Sequence, residues 1–256
     1  MQIPMRIVLV LWAGAIGPCL QAGEHARRDG EALFQVSTLS ELAAGDYDGR
    51  LSFRDLAAHG SFGLGTFDHL DGEMVAVDGR FFQVRANGVA TPVRASETTP
   101  FAVVTSFEPD IRFEVHGDTS CDALRDTIES RLPSEDALYA VEVTGLFSYL
   151  ETRSVPPQEK PYVPLAEALQ NEVVFPLYSV EATMVGFWLP AVLDDVNAAG
   201  FHFHALTRDE TTGGHVLDCD TLNVRVEIDR SEELQVRFGT RPGHRPPRHP
   251  RPTDVP

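Results

Sequence analysis

A chain of 256 residues, 43% hydrophobic and 23% charged, has enough apolar material for one large folded domain or two modest ones. Its 38 acidic against 21 basic side chains leave a formal charge of −17. That excludes general nucleic-acid binding, which needs a basic footprint to displace counterions from phosphates.

The chain opens in the manner of an exported protein. MQIPMR carries one Arg, IVLVLWAGAI is an unbroken apolar run, and GPCLQAGEHA turns small and polar, the layout of a signal peptide over residues 1–22 cut after Ala22. The run is too short to span a bilayer comfortably, so no permanent membrane span is expected. Pro18 beside Cys19 fits a lipoprotein signal poorly. With that segment removed, Cys121 and Cys219 remain and could pair in an oxidising compartment, although nothing in the sequence says that they are close. The absence of any CxxC spacing argues against a cysteine-built zinc site.

Next, LFQVSTLSELAAG reads as a strand running into a short helix stopped at Gly45, and LSFRDLAAHG, 51–60, as a helix ended by its glycine. EMVAVDGRFFQVRANGVATPV predicts short strands turning at Asp78-Gly79 and Asn87-Gly88. FAVVTSFEPDIRFEVHG continues in strand character, and SCDALRDTIESRLPSED predicts an amphipathic helix with a Ser or Asp cap, ended near Pro133. ALYAVEVTGLFSYLETRSV is again strand, PLAEALQNE a short helix, and VVFPLYSVEATMVGFWLP the start of further strands. The sum is a mixed α/β or α+β chain with more strand than helix.

VPPQEKPYVP, 155–164, is the best internal boundary, or else an ordered active-site loop, because clustered prolines restrict the backbone without supplying ladder donors. As a boundary it separates an N-terminal part, 23–164, from a C-terminal part, 165–240. RPGHRPPRHPRPTDVP, 241–256, has almost nothing apolar to bury and reads as a disordered basic tail.

GFHFHALTRDETTGGHVLD, 200–218, concentrates three histidines. In a strand, residues i and i+2 share a face, so His202 and His204 point together while Phe201, Phe203 and Ala205 face the other way. A reversal through the Gly-ended connection would bring His215 beside them, and three neutral imidazoles with an open fourth position describe a catalytic zinc site. The bland alternative is three histidines on a solvent face. A jelly-roll metal site would draw instead on Asp209 or Glu210, both in the expected turn. Taken alone, Glu73 is a solvated turn carboxylate, and Arg153 a surface ion pair with Glu151.

The stretches FGLGTFDHLDGEMVAVDGRFFQVRANG (62–88), TPFAVVTSF (99–107), RSVPPQEKPYVPL (153–165) and MVGFWLPAVLDDVNAAGFHFHALTRDETTGGHVLD (184–218) resemble the bacterial acetolactate decarboxylases, collinearly from about residue 30 to 235. The resemblance implies zinc-dependent, non-oxidative decarboxylation of 2-acetolactate to acetoin, on a mixed sheet joined to a smaller antiparallel sheet, in a homodimer. It places the zinc ligands on His202, His204 and His215, and further site residues on Glu73, Thr66 and Arg153. The chemistry fits, since adjacent hydroxyl and ketone oxygens can chelate one Lewis acid, which stabilises the enediolate charge as CO2 leaves. Arg153 would orient the departing carboxylate or serve with Glu73 around the returned proton, and Thr66 would position by hydrogen bonding. The chain departs from the family in lacking any Glu after Glu233, where a tail glutamate usually enters the site. A decayed homologue that keeps zinc for stability or ligand binding, without turnover, is therefore the competing expectation.

Overall fold

The computed structural model describes residues 32–238, so the expected signal segment and basic tail lie outside the described residues. The chain runs β1 (Ala32–Val36), α1 (Leu39–Ala43), β2 (Leu51–Ser52), α2 (Phe53–Leu56), β3 (Phe62–Thr66), β4 (Glu73–Val77), β5 (Arg80–Val84), β6 (Ala90–Pro92), β7 (Thr98–Thr99), β8 (Ala102–Thr105), β9 (Ile111–Ser120), α3 (Cys121–Glu129), β10 (Leu138–Ser154), α4 (Leu165–Ala168), β11 (Val173–Leu189), β12 (Gly200–Thr207), β13 (Gly213–Ser231) and β14 (Glu233–Arg237). No helix among the described residues is long and apolar enough to cross a membrane.

A seven-stranded mixed sheet has the order β14-β1-β8-β3-β4-β5-β6, with β1 and β14 parallel. A five-stranded antiparallel sheet has the order β10-β11-β12-β13-β9. Because β13 pairs with β10 as well as β12, strands β10 to β13 close into a circuit. This is the expected mixed sheet with a smaller antiparallel one; β2 and β7 add a short ribbon.

The two sheets pack face to face, which explains why Leu138–Val141 shows no alternation of burial. Leu138 and Ala140 meet Phe62, Leu64 and Val75 of the mixed sheet, while Tyr139 and Val141 pack with Leu124 and Ile128 of α3. Polar residues are dispensable where a strand is covered on both faces.

Three expectations need correction. LSFRDLAAHG is not one helix: Leu51 and Ser52 pair with Thr99 and Thr98, and Ser52 then caps a single turn by accepting from the Asp55 amide. The helix expected to run toward Pro133 ends at Glu129 and continues only as turns, Arg131 N donating to Ile128 O and Leu132 N to Glu129 O. The sheets do not divide at residue 164. β9 and β10 precede the proline stretch yet belong to the antiparallel sheet, and β14 completes the mixed one. Residues 155–164 connect two paired strands, since Ser154 of β10 lies opposite Val173 of β11. That connection is ordered by packing: Val155 is buried with Leu42, Tyr47, Leu70 and Phe101, the Tyr47 hydroxyl donates to Val163 O, and the Tyr162 hydroxyl donates to Asp48.

Cys121 and Cys219 form a disulfide across a sequence separation of 98. It ties the first residue of α3 to β13, four residues beyond His215. A bridge closing so long a loop restricts the unfolded chain strongly. Joint Cys121→Ala and Cys219→Ala substitution is expected to cost about 2–5 kcal/mol of unfolding free energy. Urea denaturation of the two proteins measures this, and equal midpoints would contradict it.

Candidate active site

Thr66 and Glu73 face each other across the β3–β4 pair, at the mouth of the connection between those strands. The Thr66 hydroxyl donates to Gly72 O at 2.7 Å and so fixes the turn that delivers Glu73. Gly72 has φ +88, and a Cβ there would sit 2.3 Å from the Val84 carbonyl oxygen, so only glycine allows this entry into β4.

Register assembles the rest. His202 and His204 share a face of β12, His204 lies opposite His215 of β13, and His215 lies opposite Arg153 of β10. Gly214 permits the last pairing, since a Cβ at that residue would lie 2.4 Å from the Arg153 carbonyl oxygen. Residues remote in sequence thus become neighbours through the closed strand circuit.

The ligand atoms of His202, His204 and His215 lie within 4.8 Å of one another. His204 Nδ1 donates to Met74 O at 2.8 Å, because the carbonyl can only accept, and this leaves the lone pair on Nε2. His202 Nε2 and His215 Nδ1 are 3.1 Å apart. Glu73 is buried, with Oε2 3.5 Å from His204 Nε2 and Oε1 accepting from Arg153 Nη1 at 2.9 Å. Arg153 Nε is also 3.1 Å from Glu172 Oε2.

Burial dominates the electrostatics. It pushes the Glu73 carboxyl up to about 7, against the Arg153 guanidinium, which lowers it, and with Glu172, which raises it further. Burial and then Arg153 bring the His202 imidazole down to about 4. His204 and His215 are held well below the ordinary range, first by burial and then by His202. The three imidazoles are therefore neutral at physiological pH, the form that ligates metals.

The donor set fits a divalent cation. Two nitrogens each about 2.0–2.1 Å from a tetrahedral ion stand roughly 3.3 Å apart, close to the separation of His202 Nε2 and His215 Nδ1. Met74 O fixes the His204 tautomer as an outer partner should. These groups line a cavity of about 400 Å³ whose other walls include Leu39, Leu42, Leu165 and Phe101.

All six residues singled out in the sequence converge here: Thr66, Glu73, Arg153, His202, His204 and His215 line the cavity. Asp209 and Glu210 do not join them. Asp209 accepts from Thr207 and Thr211 within its turn, and Glu210 is paired with Arg80. Arg153 pairs not with its neighbour Glu151 but with Glu73, 80 positions away in the chain, and with Glu172. Glu172 and Arg125, the latter on the cavity wall, went unseen from sequence. Each sits in an ordinary helical or helix-end context, and no local signal marks either one.

Frame and site together define a two-sheet α/β protein whose three-histidine cleft suits metal-assisted carbonyl chemistry. The family model for alpha-acetolactate decarboxylase matches residues 33–245, and the chain belongs to that family of carboxy-lyases. It is 47% identical over 190 residues to the alpha-acetolactate decarboxylase of Methanosarcina mazei, covering 74% of this chain and 66% of that one. With the Methylococcus capsulatus enzyme of the same name it shares 42% over 204 residues, 80% and 78% of the two chains. The crystal structure of alpha-acetolactate decarboxylase from Bacillus subtilis strain 168 superposes with a TM-score of 0.81 at 36% identity, covering 82% of this chain and 90% of that chain.

Proposed function

We propose that this chain is a zinc-dependent acetolactate decarboxylase, converting 2-acetolactate to acetoin and CO2. The observation that carries the reading is the convergence of three neutral imidazoles and the buried Glu73–Arg153 pair on one cavity. A zinc ion held by His202, His204 and His215 would supply a Lewis acid for the adjacent hydroxyl and ketone oxygens of the substrate.

The protein's own groups manage the carboxylate and the proton. When the bond to the carboxylate breaks, its electron pair moves into the ketone, and a proton must then be added to the carbon that lost CO2. Glu73 is suited to that transfer: burial lets its carboxyl hold and release a proton near neutrality. Arg153, with Nη1 on Glu73 and Nε on Glu172, fixes the orientation of Glu73. Thr66 acts through the turn, its hydroxyl being spent on Gly72 O. Val155, Leu165 and Phe101 form apolar wall that limits water around the reacting carbon.

Purified protein given racemic acetolactate is expected to form acetoin well above the spontaneous rate. Bound zinc without acetoin would instead favour a non-catalytic ligand-binding homologue.

Export and a homodimer belong to the same proposal. The signal-like composition of residues 1–22 and the Cys121–Cys219 bridge support export to an oxidising compartment. The homodimer rests on the family resemblance.

A further inference from the structure

Among the described residues, Glu73, Arg125, Arg153, His202, His204 and His215 are the ionisable side chains on the cavity wall. The imidazoles are neutral, and Arg153 is held between Glu73 and Glu172 at 2.9 and 3.1 Å, so its charge is already matched. Arg125 differs. Its ion-pair partner among the described residues is Asp122 at 3.3 Å, whose side chain is 92% exposed and so contributes little in water. The Arg125 Nε is buried and has no hydrogen-bond partner among the described residues. A buried donor left unsatisfied is costly, and the Arg125 side chain as a whole, 32% exposed, lines the cavity, where a ligand can supply an acceptor to its guanidinium.

The helix that carries Arg125 is fixed relative to the histidines. Cys121 opens α3 and is bridged to Cys219 of β13, while Leu124 and Ile128 are buried in the core between the helix and the sheet. Arg125 is thus presented from a rigid element.

We propose that Arg125 is a specificity-determining residue that captures the carboxylate of a small 2-hydroxy-3-oxo acid in the cavity. The chemistry of the substrate rests on the decarboxylase reading. A cation on the carboxylate favours the ground state, because negative charge leaves that group as CO2 forms. Arg125 therefore acts on capture, and its loss falls on KM rather than on kcat.

The test uses zinc-loaded full-length protein and two ligands of nearly equal shape, 2-hydroxy-2-methylpropanoate and its neutral amide, with Kd measured by calorimetry. In Arg125→Met the preference for acid over amide is expected to fall by about 10- to 100-fold, the range for a hydrogen bond to a charged group, and Arg125→Lys should keep part of it. With acetolactate, KM should rise over the same range. An unchanged acid-to-amide ratio in Arg125→Met overturns the proposal, as does equal weakening of both ligands, which would mark a purely structural role. If the wild type makes no acetoin yet shows the preference and Arg125→Met loses it, the carboxylate role stands while the decarboxylase reading falls.

Discussion

Replacing His204 by alanine is expected to lower acetoin formation by more than about 10³-fold, since losing a Lewis acid worth several kcal/mol removes at least that much rate. The same change should cost folding stability. His204 is 2% exposed, and truncation removes its hydrogen bond to Met74 O as well as leaving a cavity. His202→Ala separates the two effects. The buried Nδ1 of His202 has no hydrogen-bond partner among the described residues, so truncation there orphans none of them on that side of the ring. Both variants should lose metal and activity together, with the metal-free His202→Ala protein melting closer to the metal-free wild type. Metal content, turnover and melting of metal-free samples check this, and a His204→Ala enzyme that keeps full activity would remove the histidine cluster from the mechanism.

Glu73→Gln is expected to lower kcat by about 10²–10⁴-fold, the usual contribution of a positioned acid or base. Glutamine keeps the size and can still accept from Arg153 Nη1, so metal content should not change. The stability consequence has the opposite sign. Glu73 titrates near 7 in the folded chain against an ordinary value of 4.5, so the folded state holds its proton more tightly than the unfolded one. The stability this group contributes is present in full below about 4.5 and is lost as the pH rises through about 7. Metal-free wild type should therefore lose stability across that window relative to metal-free Glu73→Gln. Unchanged turnover in Glu73→Gln would contradict the role given to the carboxylate.

The parts of this site readable in the sequence are those set by local geometry. His202 and His204 follow from the period of two in a strand, and the turns at Asp78-Gly79 and Asn87-Gly88 from glycine chemistry. Gly79 and Gly88 both adopt positive φ there. What periodicity could not supply was the closure of β10 on β13, which puts Arg153 beside His215. Glu73 looked solvated because it follows a turn, yet it opens a central strand that the second sheet covers. The proline stretch looked like a domain boundary for a similar reason: its composition reports a restricted backbone and not the pairing of the strands on either side. Cys121 and Cys219 are brought together by the packing of α3 on β13, a contact with no local signature. The resemblance in the motifs carried Glu73, Thr66 and Arg153 into view, and the structure added Glu172 and Arg125 around them.

The histidine cluster together with Glu73 and Arg153 carries the proposed turnover. Acetoin formation from acetolactate, followed as metal-free protein is titrated with zinc, tests this most directly. Activity should be absent at the start and rise in proportion to zinc until each chain holds a single ion. Full binding of that ion with acetoin no faster than the spontaneous rate, or full turnover before any metal is added, would contradict the account.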